Sequence, residues 1–210
     1  LRLADRLEEE GEALARLETL NQGKLLMMSQ GLEVGAGAQW LRYMAGWATK
    51  IAGSTLDHSF GFPPGVKYRT YTQREPVGVV GAIVPWNFPL LMAIWKISPA
   101  LATGCTVVLK PAEETPLTAL RLAELALEVG FPPGVINVIT GSGEVTGAAL
   151  AAHPGVNKLT FTGSTEVGRL IRERTAGSNK KLSLELGGKS AAIFLDDTNL
   201  ATHVEIALNS

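Results

Sequence analysis

The chain has 210 residues, 46% of them hydrophobic, with 23 glycines, 11 prolines and a formal charge of −1. This composition fits a globular α/β protein with one substantial core, and the near-neutral charge argues against a polyanion surface, so no nucleic-acid partner is expected. One cysteine, Cys105, leaves no intrachain disulfide and points to a reducing, cytoplasmic setting; no apolar run reaches membrane-span length and no signal peptide is visible.

Leu3, Leu7, Leu14 and Leu17 keep helical spacing among charges, which predicts an amphipathic helix over Leu1 to Leu20, stopped by Asn21-Gln22-Gly23. A second helix is expected from about Leu25 to Ile51. Its Gly35, Gly37 and Gly46 allow close packing, and Trp40, Tyr43 and Trp47 fall on one face, a stripe read as core. Gly61 to Gly65 is a loop. Val66 to Arg74 alternates in the manner of a partly exposed strand, and such an edge needs pairing, either with a second chain or with a later segment. The chain opens inside one helical pattern and closes at Asn209-Ser210 inside another, so it reads as a piece of a longer one.

From Val77 the pattern becomes βαβ-like. Strands are expected at Val77–Val84, Cys105–Leu109, Val135–Ile139, Lys158–Phe161 and Leu182–Leu186. Between them fall helices at Leu90–Ala102, Pro116–Val129, a short one ending at Ala152, and Thr165–Arg174. Short apolar strands alternating with helices imply a parallel sheet covered on both faces. The first strand stops at Pro85 and sets Trp86, Asn87 and Phe88 just past its carboxyl end, where open α/β sheets bind ligands.

The Gly-x-Gly-x-x-Gly fingerprint of dinucleotide folds is absent. Two glycine loops each follow a strand and open a helix: Gly141-Ser-Gly-Glu-Val-Thr-Gly147 and Gly163-Ser164-Thr165-Glu-Val-Gly168. Either could turn backbone N–H groups toward an anion, and either, taken alone, reads as an ordinary strand-to-helix turn. Gly187-Gly188-Lys189-Ser190 copies the end of a triphosphate loop but has Ser183 where that motif needs glycine, so that reading is rejected. Lys110-Pro-Ala-Glu113 at a strand tip could hold a ribose diol, and its carboxylate would oppose a 2′-phosphate, favouring NAD over NADP. A solvated turn pair explains the same residues.

Pro-Trp-Asn-Phe at 85–88, Lys-Pro-Ala-Glu at 110–113, Phe-Thr-Gly-Ser-Thr at 161–165 and Leu-Glu-Leu-Gly-Gly-Lys at 184–189, in this order and spacing, closely resemble the NAD(P)-dependent aldehyde dehydrogenase superfamily. Glu18 to Lys24 adds to the match, and Leu41 to Lys50 looks most like phenylacetaldehyde dehydrogenase-like members. The resemblance implies a modified Rossmann-type sheet, NAD as cofactor with NADP as the alternative, an aldehyde substrate, and a homodimer or homotetramer at full length. It implies Asn87 as oxyanion-hole donor, Glu185 as general base and Lys96 as a proton relay. For the cofactor it implies Ile83, Val84, Trp86, Lys110, Glu113, Gly141, Gly163, Ser164, Thr165, Gly168 and Leu186. From the residues alone, Glu185 reads better as an edge-strand acid paired with Lys180 or Lys181.

By the same resemblance, residues 1–60 and 75–187 form a cofactor-binding domain, 61–74 an oligomerisation arm, and 188–210 the start of a catalytic domain. The family's nucleophilic cysteine is expected beyond Ser210; Cys105, in an apolar run, reads as a buried small hydrophobe. Two other readings are an inactive nucleotide-binding module and a relative that passes its acyl group to coenzyme A. Glu185 weighs against the latter, since hydrolysis is what that carboxylate serves.

Overall fold

The structure, a computed structural model, describes residues 1–59, 61–199 and 201–204. Helices α1 (Arg2–Glu9) and α2 (Gly11–Gln22) lead into α3 (Leu26–Met28), a π-helical stretch Ser29–Gly35, and α4 (Ala36–Ala45). A small antiparallel ribbon pairs β1 (Thr55–Leu56) with β2 (Thr70–Tyr71). Then come β3 (Val79–Ile83), α5 (Pro89–Ala102), β4 (Thr106–Lys110), α6 (Leu117–Glu128) and β5 (Ile136–Val138). A π-helical turn Gly143–Gly147, α7 (Ala148–Ala152), β6 (Lys158–Thr162), α8 (Thr165–Thr175) and β7 (Lys181–Glu185) follow. No helix among the described residues is long and apolar enough to cross a membrane.

The five main strands are parallel in the order β5-β4-β3-β6-β7. Period-2 alternation assigns each face of the sheet. Val80, Ala82 and Val84 from β3, with Val107 and Leu109 from β4, join the larger core built with α1, α2, α4, α5 and α6. Ile83, Leu159 and Phe161 enter a second core with Leu150, Ala151 and Ile171 under α7 and α8. The expected modified Rossmann-type sheet with helices on both faces is therefore the architecture found. At the centre of β3, a Cβ on Gly81 would meet Leu159 Cδ1 at 3.0 Å, Val156 Cγ1 at 3.2 Å and Leu150 Cγ at 3.3 Å. The second layer rests directly on that bare backbone.

Several expectations change. The first helix is broken at Glu10, and the second contains the π-helical stretch and ends at Ala45 rather than Ile51. Gly37 does allow close packing, since a Cβ there would lie 2.7 Å from Ile94 Cδ1 of α5. Within the aromatic stripe only Trp40 packs on the core. Tyr43 and Trp47 stay exposed, linked ring to ring with Trp40 along the helix surface. The strand over Val66–Arg74 shrinks to Thr70–Tyr71, which pairs with the earlier Thr55–Leu56. Its alternation of charge and bulk never buries a face, so little enforces extended pairing. The helix expected at Asn209-Ser210 lies outside the described residues.

Candidate functional site

The sheet order reverses between β3 and β6, because the chain proceeds outward through β4 and β5 and then returns to the other side of β3. Crevices for ligands open at such switch points, beyond the strands' carboxyl ends. A cleft of about 570 Å³ lies there, bounded by Ile83, Glu113, Gly143, Phe161, Val167 and Arg174. Its walls are the last residues of β3 and β6, the turn after β4, and the facing sides of α7 and α8.

Lys110 ends β4 and is almost wholly buried, while its Nζ donates to Glu113 Oε2 at 2.6 Å. The Gly143 peptide N–H donates to Glu113 Oε1 at 3.0 Å. The hydrogen bond from Lys110, helped by the Gly143 peptide against the opposing effect of burial, holds the Glu113 carboxyl down at about 2. One carboxylate thus joins the turn after β4 to the turn after β5, and it lines the cleft. A Cβ on Gly143 would meet nothing within 4 Å, so this backbone stands open. Gly141 is different: its φ is +135° and a Cβ would strike Thr146 Oγ1 at 2.1 Å, so glycine there shapes the loop. Ser142 caps the loop's helical turn through Val145 N–H.

Ser164 caps α8 in the same way, accepting from Val167 N–H at 3.2 Å, and remains exposed at the helix start beside Thr165. Gly168 is packed: a Cβ would sit 2.4 Å from Leu186 Cδ2, which places Leu186 across the first turn of α8. Gly163 lies over the Phe161 ring and donates its N–H to the Glu185 carbonyl at 3.1 Å. This fixes the Glu185 backbone level with the end of β6, since Glu185 is paired with Thr162. The Glu185 side chain is exposed. The Lys180 amine donates to the His153 and Val156 carbonyls, so that lysine is engaged away from Glu185.

Lys96, half-buried on α5, has its pKa lowered chiefly by loss of solvent; the charge of Lys158 adds to this and that of Glu185 opposes it. Lys96 and Glu185 are thus within electrostatic reach of each other. Pro85 halts β3, and Trp86 and Asn87 emerge exposed. Val84 is buried, its N–H donating to the Lys110 carbonyl at 3.2 Å. The Asn87 carbonyl accepts from Lys24 Nζ at 2.7 Å, and the same ammonium sits 4.1 Å from the centre of the Phe88 ring.

Of the residues singled out from sequence, Ile83 and Glu113 line the cleft itself, with Lys110 directly behind Glu113. Ser164, Thr165, Gly168 and Leu186 gather at the adjoining start of α8, while Val84 lies beneath the floor and Trp86 and Asn87 stand at the tip of β3. With neighbouring strands about 4.8 Å apart, the tips of β3 and β7 are separated by about 10 Å across β6. Sequence reasoning did not single out Phe161, Val167, Leu170, Ile171 and Arg174 on the cleft wall, or Thr162, whose buried Oγ1 has no hydrogen-bond partner among the described residues. Helical spacing from Val167 to Arg174 was the available signal for the wall. Cys105 is buried, as expected.

The sequence pattern of the aldehyde dehydrogenase family matches residues 1–210. A phenylacetaldehyde dehydrogenase of Pseudomonas fluorescens is 69% identical over 197 residues, covering 94% of this chain and 39% of that protein. Aldehyde dehydrogenase 1A1 of Bos taurus is 52% identical over 207 residues, 98% of this chain and 40% of its own. The NAD+ complex of an aldehyde dehydrogenase from Bacillus cereus superimposes with a TM-score of 0.91 at 48% identity, over 97% of this chain and 40% of that one. The chain therefore spans about 40% of the length of these relatives. The fold, the switch-point cleft and these matches together make the chain a member of the aldehyde dehydrogenase family.

Proposed function

We propose that the full-length protein oxidises an aldehyde to a carboxylic acid with NAD, through a cysteine thiohemiacetal and a thioester. The observation that carries this is the Lys110–Glu113–Gly143 connection at the strand-switch cleft. It offers an ionised acceptor for the hydroxyls of a ribose while opposing a 2′-phosphate, so NAD is favoured and NADP is the weaker alternative. The unpartnered Thr162 Oγ1 and the open Gly143 backbone fit a polar, elongated ligand running along the strand tips. The Bacillus cereus relative was solved as an NAD+ complex, which supports the same assignment.

Ile83 and Val84 lie along the cofactor; Gly141 begins the loop at its adenine end. Trp86, with Ser164 and its neighbours Gly163, Thr165, Gly168 and Leu186, forms the pyrophosphate side. When bound, NAD supplies the hydride acceptor. The nucleophile is a cysteine this chain does not contain. Asn87 donates its amide to the oxygen that becomes negative when the thiolate adds to the aldehyde, worth about 3–4 kcal/mol in a dry site. Glu185 takes a proton from the water that cleaves the thioester, and Lys96 passes protons from it.

Residues 1–60 and 75–187 act as the cofactor domain and 188–210 begin the catalytic domain. Residues 61–74 serve as an arm between subunits of a homodimer or homotetramer, a reading supported by their near-complete exposure among the described residues. A cytoplasmic location is part of the same reading, supported by the free, buried Cys105.

The deciding assay follows NADH and acid formation by the full-length protein on aliphatic and aromatic aldehydes, with both cofactors, with and without coenzyme A. Arylacetaldehydes come first, given the phenylacetaldehyde dehydrogenase relative. Acid in equal yield with NADH, indifferent to coenzyme A, is the expected result; no reduction with any aldehyde overturns the assignment. Glu185→Gln is expected to keep single-turnover hydride transfer and to stall thioester release. A normal steady-state rate would remove Glu185 from its role.

A further inference from the structure

We propose that Lys24 and Glu33 are positioning residues for Asn87, a buried ion pair that fixes the peptide carrying the oxyanion-hole amide. This rests on the role given to Asn87 above. Among the described residues no hydrogen bond holds the Asn87 side chain, so its aim is set by its backbone. That segment is held at three points, two of them on the backbone. Lys24 Nζ donates to the Asn87 carbonyl at 2.7 Å and lies against the Phe88 ring. The same ammonium bonds Glu33 Oε1, and Glu33 Oε2 accepts the Leu91 N–H at 2.8 Å, in the first turn of α5. One buried pair, from a segment about sixty residues earlier in the chain, thus brackets positions 87, 88 and 91.

The chemistry of the bracket is a poor way to gain stability. Glu33 is wholly buried and the Lys24 side chain 12% exposed; apolar replacements of such pairs are often as stable or more so. Behind it Glu18 is also buried, its Oε2 accepting from Thr118 Oγ1 at 2.6 Å while Oε1 has no partner among the described residues. Two carboxylates and one ammonium are therefore collected at the start of the helix that follows Asn87. Glu33 projects from the π-helical stretch Ser29–Gly35, a type of insertion frequent at functional sites. What the group supplies is a fixed peptide orientation, where an error of about 1 Å can cost about a hundredfold in rate.

The test uses the full-length protein with Lys24→Met, Glu33→Gln and Asn87→Ala, alone and combined. Lys24→Met is expected to slow single-turnover NADH formation about tenfold, with the aldehyde KM and NAD affinity changed less than about threefold. Amide exchange at residues 87–92 of the unliganded protein should quicken selectively. In the Asn87→Ala background, Lys24→Met should add no further loss, because its action runs through that amide. Additive losses, or unchanged exchange at 87–92, overturn the proposal. Should Lys24→Met fail to fold, Glu33→Gln decides by the same readouts, with an effect of about threefold expected. Should Asn87→Ala run at the wild-type rate, the functional reading of Asn87 falls instead, and the exchange data alone decide whether the pair fixes the tip.

Discussion

Two lysine–glutamate pairs stand at the carboxyl end of the sheet, and they are built in opposite senses. Lys110–Glu113 buries the cation and leaves the carboxylate side chain 45% exposed; Lys24–Glu33 buries the carboxylate completely. The first arrangement keeps an anion available to a ligand, and Glu113 stays ionised down to about 2. The second has no face left for a ligand. Its charges are consumed by the Asn87 carbonyl and the Leu91 N–H, and nearby Glu18 is pushed up to about 7, first by burial and then by the charge of Glu33, with Thr118 and Lys24 opposing. The same two residue types therefore make a binding group in one place and a mechanical clamp in the other, and solvent exposure decides which.

The sharpest way to break this contrast is Asn87→Ala. It should lower single-turnover hydride transfer about 10²–10³-fold, measured by rapid mixing, while NAD titration stays unchanged. Equal loss in both measurements would make the clamp side a binding region after all. Next is Glu18→Gln, read in urea melts against pH. Because the folded-state value of Glu18 is raised, its contribution is fully present below an unfolded value near 4.5 and is lost as pH rises through about 7. Wild type should lose at most about 3 kcal/mol across that window through this group, and Glu18→Gln should flatten the decline.

Lys110→Met should weaken NAD binding about tenfold by calorimetry, since Glu113 loses the donor that orients it. The smallest effect belongs to Glu113→Gln. Discrimination against NADP should narrow a few-fold as the repulsive charge goes. Glu113 is depressed, so its stabilisation is present above about 4.5 and lost as pH falls through about 2; at this exposure it amounts to less than about 1 kcal/mol.

The open pair was legible in the sequence and the buried pair was not. Lys110 and Glu113 sit three apart at the end of an apolar run, so one strand prediction places both. Lys24 falls in the break between two helical patterns and Glu33 inside the second, where charges read as solvent-facing; their burial depends on α5 arriving from far along the chain. The inner strands of the main sheet were readable because their apolar runs are largely buried. Val66–Arg74 misled because alternation appeared there without a core to enforce it, and the Tyr43–Trp47 face misled because large rings are not always interior. Local pattern carries the scaffold and the ligand-facing groups, whereas long-range charge pairing is set by tertiary contact.

Gly81 carries one more implication. The helix layer bearing Ala148 and Ala151, part of the cleft wall, rests through Leu150 on a strand position that has no side chain. The width of the slot is thus gauged from underneath, by a hydrogen atom that no ligand touches. Retuning the site for a bulkier or differently decorated nucleotide can begin there, with a single methyl acting as a shim beneath α7.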